Sequence, residues 1–338
     1  MLVFAPFYGA FFCLRFRYLV NSLFGILMIH TLNLPLDKQI LIDNNIHVSI
    51  FRGDLEHQDA PGNKWHKLRF NLEAASKQGA KYVISFGGPF SNHLHALGNV
   101  AKAHGVTPVA IVRGELHPQL TQTLRDFIKS GGILWPSRRI DYKAGMDSDL
   151  VSTLNTLYPN AYWVPEGGSN ALGVKGCFSW AQEIDNQAQA KGGFDTWVVS
   201  AGTGATSAGF LAYEVEQDTI SKNAERNSPN ILVFPALKGG EGLAADIQRF
   251  ALSQNPITDI ARLSIVGDYH HGGYAKLPKA LNDYINRVHD LNPKLALDPV
   301  YTAKVVYGLE QEIMKGNLNN KKLLLIHTGG IQGWCGYR

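Results

Sequence analysis

Val198-Val199-Ser200-Ala201-Gly202-Thr203-Gly204-Ala205-Thr206-Ser207-Ala208-Gly209 joins a buried apolar run to a Gly/Thr-rich turn and then to a helix. Such a turn aims backbone N–H groups and hydroxyls at an anion seated on a helix N-terminus. No Gly-Lys-Ser/Thr follows, so it is not a nucleotide P-loop. It also falls short of a dinucleotide fingerprint, because Ser207 takes the third glycine position and no clear ribose-binding acid follows. A phosphate cradle without nucleotide machinery is the reading that remains. A plain strand–helix turn is its bland rival.

Outward from this stretch the pattern repeats. Apolar, often β-branched runs at Tyr82–Phe86, Val109–Val112, Ile133–Trp135, Tyr162–Val164, Trp197–Ser200, Ile231–Phe234, Leu263–Val266 and Leu323–Ile326 alternate with helical periodicities. Strands of that kind belong to parallel sheets covered on both faces. Ile40–Ile42 and Val48–Ile50 add two short strands around Asn44-Asn45. About nine such units are too many for one short sheet, so the expected fold is α/β, with two doubly wound parallel-sheet domains and the active site in the cleft between them.

The chain has 338 residues, 45% hydrophobic and 18% charged, with 32 Lys+Arg against 28 Asp+Glu. That is an ordinary globular composition, and a charge of +4 gives no case for a nucleic-acid partner. Cys13, Cys177 and Cys335 are widely spaced, which fits free thiols in a reducing compartment and places the protein in the cytoplasm. Residues 1–27 are apolar and lack acids, with Arg15 and Arg17 in their middle. They read as an extension upstream of a true start at Met28, with membrane contact only if they belong to the native protein.

Pro61-Gly62-Asn63-Lys64-Trp65-His66-Lys67-Leu68 sets a lysine where a turn becomes a helix, and Leu68, Leu72 and Ala75 give that helix an apolar face. A lysine at a helix start sits beside positive dipole charge, which lowers its pKa and favours a nucleophilic amine. Gly87-Gly88-Pro89-Phe90-Ser91-Asn92-His93 ends a strand and caps a helix with Ser and Asn, offering a carboxylate or ring-hydroxyl site. Gly273-Tyr274 and Asp298-Pro299-Val300-Tyr301-Thr302 each put a phenol at a loop–helix junction. Ile326-His327-Thr328 delivers Thr328 to a sheet edge. The pairs His93/His95 and His270/His271 have the wrong spacing for one helix face, and no metal is expected. An activated lysine, a phosphate cradle and tyrosines without a metal or a Cys/His pair point to pyridoxal 5'-phosphate.

The same motifs, in order between about Ile46 and Gly330, resemble the 1-aminocyclopropane-1-carboxylate deaminase/D-cysteine desulfhydrase family of tryptophan-synthase-β-like pyridoxal enzymes. The resemblance implies residues 28–80 and 190–338 as a large cofactor domain and 81–189 as a small one. It implies Lys64 as the cofactor lysine and Cα base, Asn92 at the ring hydroxyl, and Ser91 at the cofactor face. Gly202, Thr203, Gly204, Ala205 and Thr206 would hold the phosphate, and Tyr274 and Tyr301 would be the catalytic tyrosines. Ser91, Asn92 and His93 would receive the carboxylate of a small amino-acid substrate, and a homodimer is expected. Ring-opening members carry a glutamate after the Asp-Pro-Val-Tyr tyrosine, as partner of the pyridine nitrogen; here that residue is Thr302, and Thr328 matches desulfhydrase-like members. A neutral hydroxyl supports a weaker electron sink than a carboxylate, which favours β-elimination to a 2-oxo acid and ammonia over cyclopropane opening. The segment Phe51–His57 is shorter than the family's usual approach loop. A nicotinamide-dependent oxidoreductase built on Gly202-x-Gly204 and a non-catalytic pyridoxal-fold module are the rivals from other classes.

Overall fold

The computed structural model describes residues 28–337, apart from 221–225, 227, 257 and 258. The expectation for residues 1–27 lies outside the described residues. No helix among the described residues is long and apolar enough to cross a membrane.

The chain opens with β1 (Ile29–Thr31) and β2 (His47–Phe51), then crosses to β3 (Tyr82–Gly87), β4 (Thr107–Arg113), β5 (Ile133–Ser137) and β6 (Ala161–Val164). It returns through β7 (Thr196–Ala201), β8 (Asn230–Pro235), β9 (Leu263–Ile265) and β10 (Lys322–Ile326). The larger sheet has the order β1-β2-β10-β7-β8-β9 and the smaller one β5-β4-β3-β6. Every pairing is parallel except that of β1 with β2. The fold is thus α/β with two parallel-rich sheets, as the alternation of strands and helices requires.

The continuous apolar runs have a direct consequence. Successive residues of a strand point to opposite faces, so an all-apolar strand needs a core on each. Trp197, Val199, Leu324 and Ile326 enter one core of the larger sheet, while Val198, Leu323 and Leu325 enter the other. In the smaller sheet Val83, Ala110 and Val112 face one core and Ile84, Val109 and Ile111 the other. The helix Ala171–Gln189 precedes β7 yet buries Val174, Trp180 and Ile184 in a core of the larger sheet. The helix Asn63–Lys77 follows β2 yet buries Leu68, Leu72 and Ala75 against the smaller one. These two helices therefore cross, and they touch at Gly176, where a Cβ would lie 1.7 Å from the His66 carbonyl oxygen.

One sequence expectation is corrected. Ile40–Ile42 is not a strand but part of the helix Lys38–Asp43. Asp37 caps it by accepting a hydrogen bond from Gln39 N at 2.9 Å. Leu36, Ile40 and Leu41 pack on the core while Ile42 is exposed, a helical rather than an alternating arrangement. The short antiparallel strand β1 carries no distinct pattern in the sequence.

At the helix crossing, the His66 ring stacks on Trp180 at 4.7 Å and 16°. Glu56 accepts from Trp180 Nε1 at 2.9 Å through Oε1 and lies 3.2 Å from His66 Nε2 through Oε2. Burial pushes the Glu56 carboxyl up to about 8 and the His66 imidazole down to about 3. At neutral pH the pair is an uncharged carboxylic acid donating to an uncharged imidazole. A carboxyl raised on folding contributes stability that is complete below pH 4.5 and lost as pH rises through about 8. The expected outcome is that wild-type Tm falls between pH 6 and pH 9 by more than that of Glu56→Gln, which cannot ionise. Parallel Tm curves for the two proteins would contradict this assignment.

Candidate active site

The carboxyl ends of strands from both sheets converge on one cavity, whose wall includes the ends of β3, β4, β6, β7 and β10. Open α/β sheets place ligands at this position.

After β7 the turn Gly202–Gly204 leads into the helix Ala205–Ile220. The first N–H groups of a helix have no intrahelical partner, so this end offers donors to an anion. Ser200, Gly202, Thr203, Gly204, Thr206 and Ser207 lie on the wall; Ala205 is buried behind it. Thr203 is steadied by the Ser169 hydroxyl at 2.5 Å, and Thr206 Oγ1 accepts from Asn63 Nδ2 at 2.9 Å. The Ser207 hydroxyl is fully buried and without a partner among the described residues. A buried donor left unpaired costs about 1–3 kcal/mol, so this one marks a place for a ligand acceptor.

Across the cavity, Lys64 occupies the first turn of the helix Asn63–Lys77. Its Nζ donates to Asn63 Oδ1 at 2.8 Å and lies 5.9 Å from the centre of the Tyr301 ring. Burial pushes its pKa down to about 7, and the neighbouring Lys67 ammonium adds to the effect against weaker opposition from Cys177 and Asp298. Burial is thus the leading cause, and the helix start anticipated from the sequence acts in the same direction. Asn63 touches both Lys64 and Thr206, so one amide fixes the distance from lysine to cradle. Lys67, one helical turn on, is a second buried lysine on the wall.

The position of Lys64 also depends on a backbone crossing. Gly62 has φ +68° and Gly329 has φ +81°, and a Cβ on either would lie within 2.4 Å of a backbone oxygen of the other loop, Thr328 O and Pro61 O respectively. Asn63 N donates to Thr328 O at 3.3 Å where the loops meet. Only glycine fits both the left-handed backbone and the contact.

On the third side, Ser91 caps the helix Asn92–Ala101 by accepting from Leu94 N at 3.2 Å. Asn92 Oδ1 accepts from Gln332 Nε2 at 3.0 Å. His93 is buried, with Nε2 2.8 Å from Ser85 Oγ. The Ser85 hydroxyl donates to Val164 O at 2.7 Å, so it accepts from His93 Nε2–H and leaves Nδ1 as a buried lone pair without a partner. Burial, with Lys64 and Lys67 nearby, holds this imidazole down at about 3. Its ring is a neutral acceptor and repels a carboxylate, whereas the Ser91 hydroxyl, the Asn92 amide and the backbone N–H groups of this helix start are donors.

Tyr274 and Tyr301 form an edge-to-face pair at 6.3 Å, with their hydroxyls hydrogen-bonded. Burial raises both phenols, most strongly Tyr301, so both keep their protons. Buried Asp298 holds the Tyr301 loop by accepting from Val300 N at 3.0 Å, Tyr301 N at 2.8 Å and Thr302 N at 2.7 Å. Thr328 lies on the wall with its hydroxyl 3.3 Å from Ser200 Oγ. Thr302 is buried off the wall, its hydroxyl without a partner among the described residues.

Of the residues singled out in the sequence, the cavity unites Lys64, Ser91, Asn92, His93, Gly202, Thr203, Gly204, Thr206, Tyr274, Tyr301 and Thr328. It adds Ser200 and Ser207, which stand in the stretch after β7 without a role assigned to them there, and Arg113 and Glu166, which carry no motif that would have flagged them. Away from it, Glu56, His66 and Glu183 bring three possible metal-ligand atoms within 4.8 Å of one another. These are engaged with Trp180, with each other and with Arg69.

No protein-family model matches the chain. It is 30% identical over 299 residues to an inferred 1-aminocyclopropane-1-carboxylate deaminase of Thermotoga maritima, covering 86% of this chain and 89% of that protein. To a D-cysteine desulfhydrase of Salmonella paratyphi A it is 27% identical over 308 residues, covering 86% and 88%. Among solved structures, one described as an ACC deaminase homologue superposes with a TM-score of 0.75 at 28% identity, over 91% of this chain and 90% of that one. With this cavity, this fold and these relatives, the chain belongs to the 1-aminocyclopropane-1-carboxylate deaminase/D-cysteine desulfhydrase family of tryptophan-synthase-β-like, fold type II pyridoxal enzymes.

Proposed function

We propose that this protein is a pyridoxal-phosphate-dependent lyase that eliminates the β-substituent of a small amino acid, as a D-cysteine desulfhydrase does. The observation that carries the reading is the arrangement of Lys64, an amine with a pKa lowered to about 7, opposite a helix-start anion cradle and beside two protonated tyrosines. The residues fit the cofactor. Thr203, Thr206 and the unpaired Ser207 hydroxyl suit its phosphate, Lys67 supplies a second buried amine as donor, and Lys64 supplies the amine that would carry the cofactor. Bound there, pyridoxal phosphate would withdraw electrons from the substrate Cα and make its proton acidic.

The chain's own groups then have distinct tasks. Ser91, Asn92 and the N–H groups at the start of the helix Asn92–Ala101 bind the substrate carboxylate; the His93 ring offers no proton for it. Asn92, held by Gln332, would hold the cofactor's ring hydroxyl. Lys64 Nζ takes the Cα proton, which its lowered pKa permits near neutrality. Tyr274 and Tyr301, both protonated, donate to the departing group. Thr328 presents a neutral hydroxyl, and Thr302, at the deaminases' glutamate position, lies off the wall. Without a carboxylate there to hold a protonated pyridine nitrogen, β-elimination is favoured over opening a cyclopropane that has no Cα proton to lose. The second reading, 1-aminocyclopropane-1-carboxylate deaminase, draws on the relatives bearing that name. The free Cys177 and Cys335 support a cytoplasmic setting.

Lys64→Ala is expected to remove both the visible absorbance gained on adding pyridoxal phosphate and the release of 2-oxo acid; a variant that stays yellow would contradict the assignment. In the wild-type apoprotein only the unprotonated amine reacts, so the rate at which that absorbance develops is expected to rise with pH through about 7. A rise delayed to near 10 would mean that Lys64 is not desolvated.

A further inference from the structure

The mouth of the cavity holds two charges that the elimination itself does not use. Arg113 closes β4 and Glu166 follows β6; both are exposed, and both lie on the wall. Tyr142 stands between them. Its hydroxyl donates to Glu166 Oε1 at 2.5 Å, and the Arg113 guanidinium lies 5.8 Å from its ring centre. Arg113 and Glu166 do not pair with each other, and neither has another ion-pair partner among the described residues. Glu166 Oε2 and the guanidinium fork therefore keep free capacity at exposed positions on the cavity wall. Both charges are felt at the Tyr274 phenol, where Glu166 raises the pKa and Arg113 lowers it, and all three residues line the same cavity. The guanidinium lies beside Gly88, where a Cβ would sit 3.7 Å from Nη2.

An unpaired cation and anion exposed on the wall of an amino-acid cavity complement a group carrying a carboxylate and an ammonium together. Arg forks bind carboxylates with defined geometry. A carboxylate beside a departing hydrosulfide would oppose the charge that develops on sulfur, but it suits an ammonium carried further along the chain. The geometry points to a sulfur-bridged bis-amino acid as the preferred substrate, with one head at Lys64 and the other held between Arg113 and Glu166. This rests on the β-elimination reading and names its substrate class. In the step, Lys64 takes the Cα proton and the Cβ–S bond breaks with its electron pair going to sulfur. A tyrosine proton then completes the departing thiol amino acid. The remaining three-carbon enamine takes up water to give a 2-oxo acid and ammonia, so no oxidant or reductant is consumed.

The test compares lanthionine and cystathionine with S-methylcysteine, each as defined stereoisomers, on the holoenzyme and on Glu166→Gln and Arg113→Gln. The wild type should show a higher kcat/KM for a two-headed substrate than for S-methylcysteine, and each substitution should lower that ratio at least tenfold. Calorimetry on Lys64→Ala, which cannot take the Cα proton, should show the same tenfold weakening for the two-headed ligand when either substitution is added. S-methylcysteine turned over as well as the two-headed substrates, or all substrates affected equally by both substitutions, would overturn the inference and leave the elimination reading intact. Preferential binding of the two-headed ligand with no 2-oxo acid from any substrate would uphold the subsite and overturn the elimination reading instead.

Discussion

The contact on which the rest of the site depends is the crossing of two loops at Gly62 and Gly329. The turn before the Lys64 helix and the loop after β10 pass so closely that neither can carry a side chain. One hydrogen bond, Asn63 N to Thr328 O, joins them. The crossing fixes Lys64 against Thr328, and Asn63 then fixes it against Thr206. A lysine side chain is long and flexible, and ordering it costs up to about 2 kcal/mol of rotamer freedom. Here the amide of the preceding residue and the surrounding walls hold it in place.

Burial does the electrostatic work. Lys64, Lys67 and His93 share one desolvated pocket, and each is less basic there than in water. For Lys64 the result is a reactive amine; for His93 it is a ring that stays neutral and turns its lone pair inward. The tyrosines respond oppositely, because burial disfavours the phenolate, and so they remain acids beside a base. Two kinds of group moved in opposite directions by one environment are what proton transfer at neutral pH requires.

Much of this was legible in the sequence, for identifiable reasons. The β-branched runs imply strands covered on both faces, and Trp197 to Val199 do divide between two cores. The glycines beside Lys64 and after β7 announce tight turns, and Gly62 and Gly204 do take a positive φ. Elsewhere local pattern is ambiguous. Ile40–Ile42 fits a strand or a helix, and only the Asp37 cap and the core beneath Leu36 and Ile40 decide it. Arg113 and Glu166 are ordinary polar residues at strand ends. Their meeting at one cavity mouth depends on β4 and β6 flanking β3, which no local spacing encodes. Thr302 occupies the position where ring-opening relatives carry a glutamate, yet it begins a helix and is buried off the cavity wall.

The most direct test of the account is an absorbance spectrum of the pyridoxal-loaded protein, recorded before and after D-cysteine or 1-aminocyclopropane-1-carboxylate is added separately. The account predicts a visible band that D-cysteine perturbs with release of 2-oxo acid, and that the cyclopropane amino acid shifts without comparable product. Rapid 2-oxo acid formation from the cyclopropane substrate, with D-cysteine inert, would contradict it.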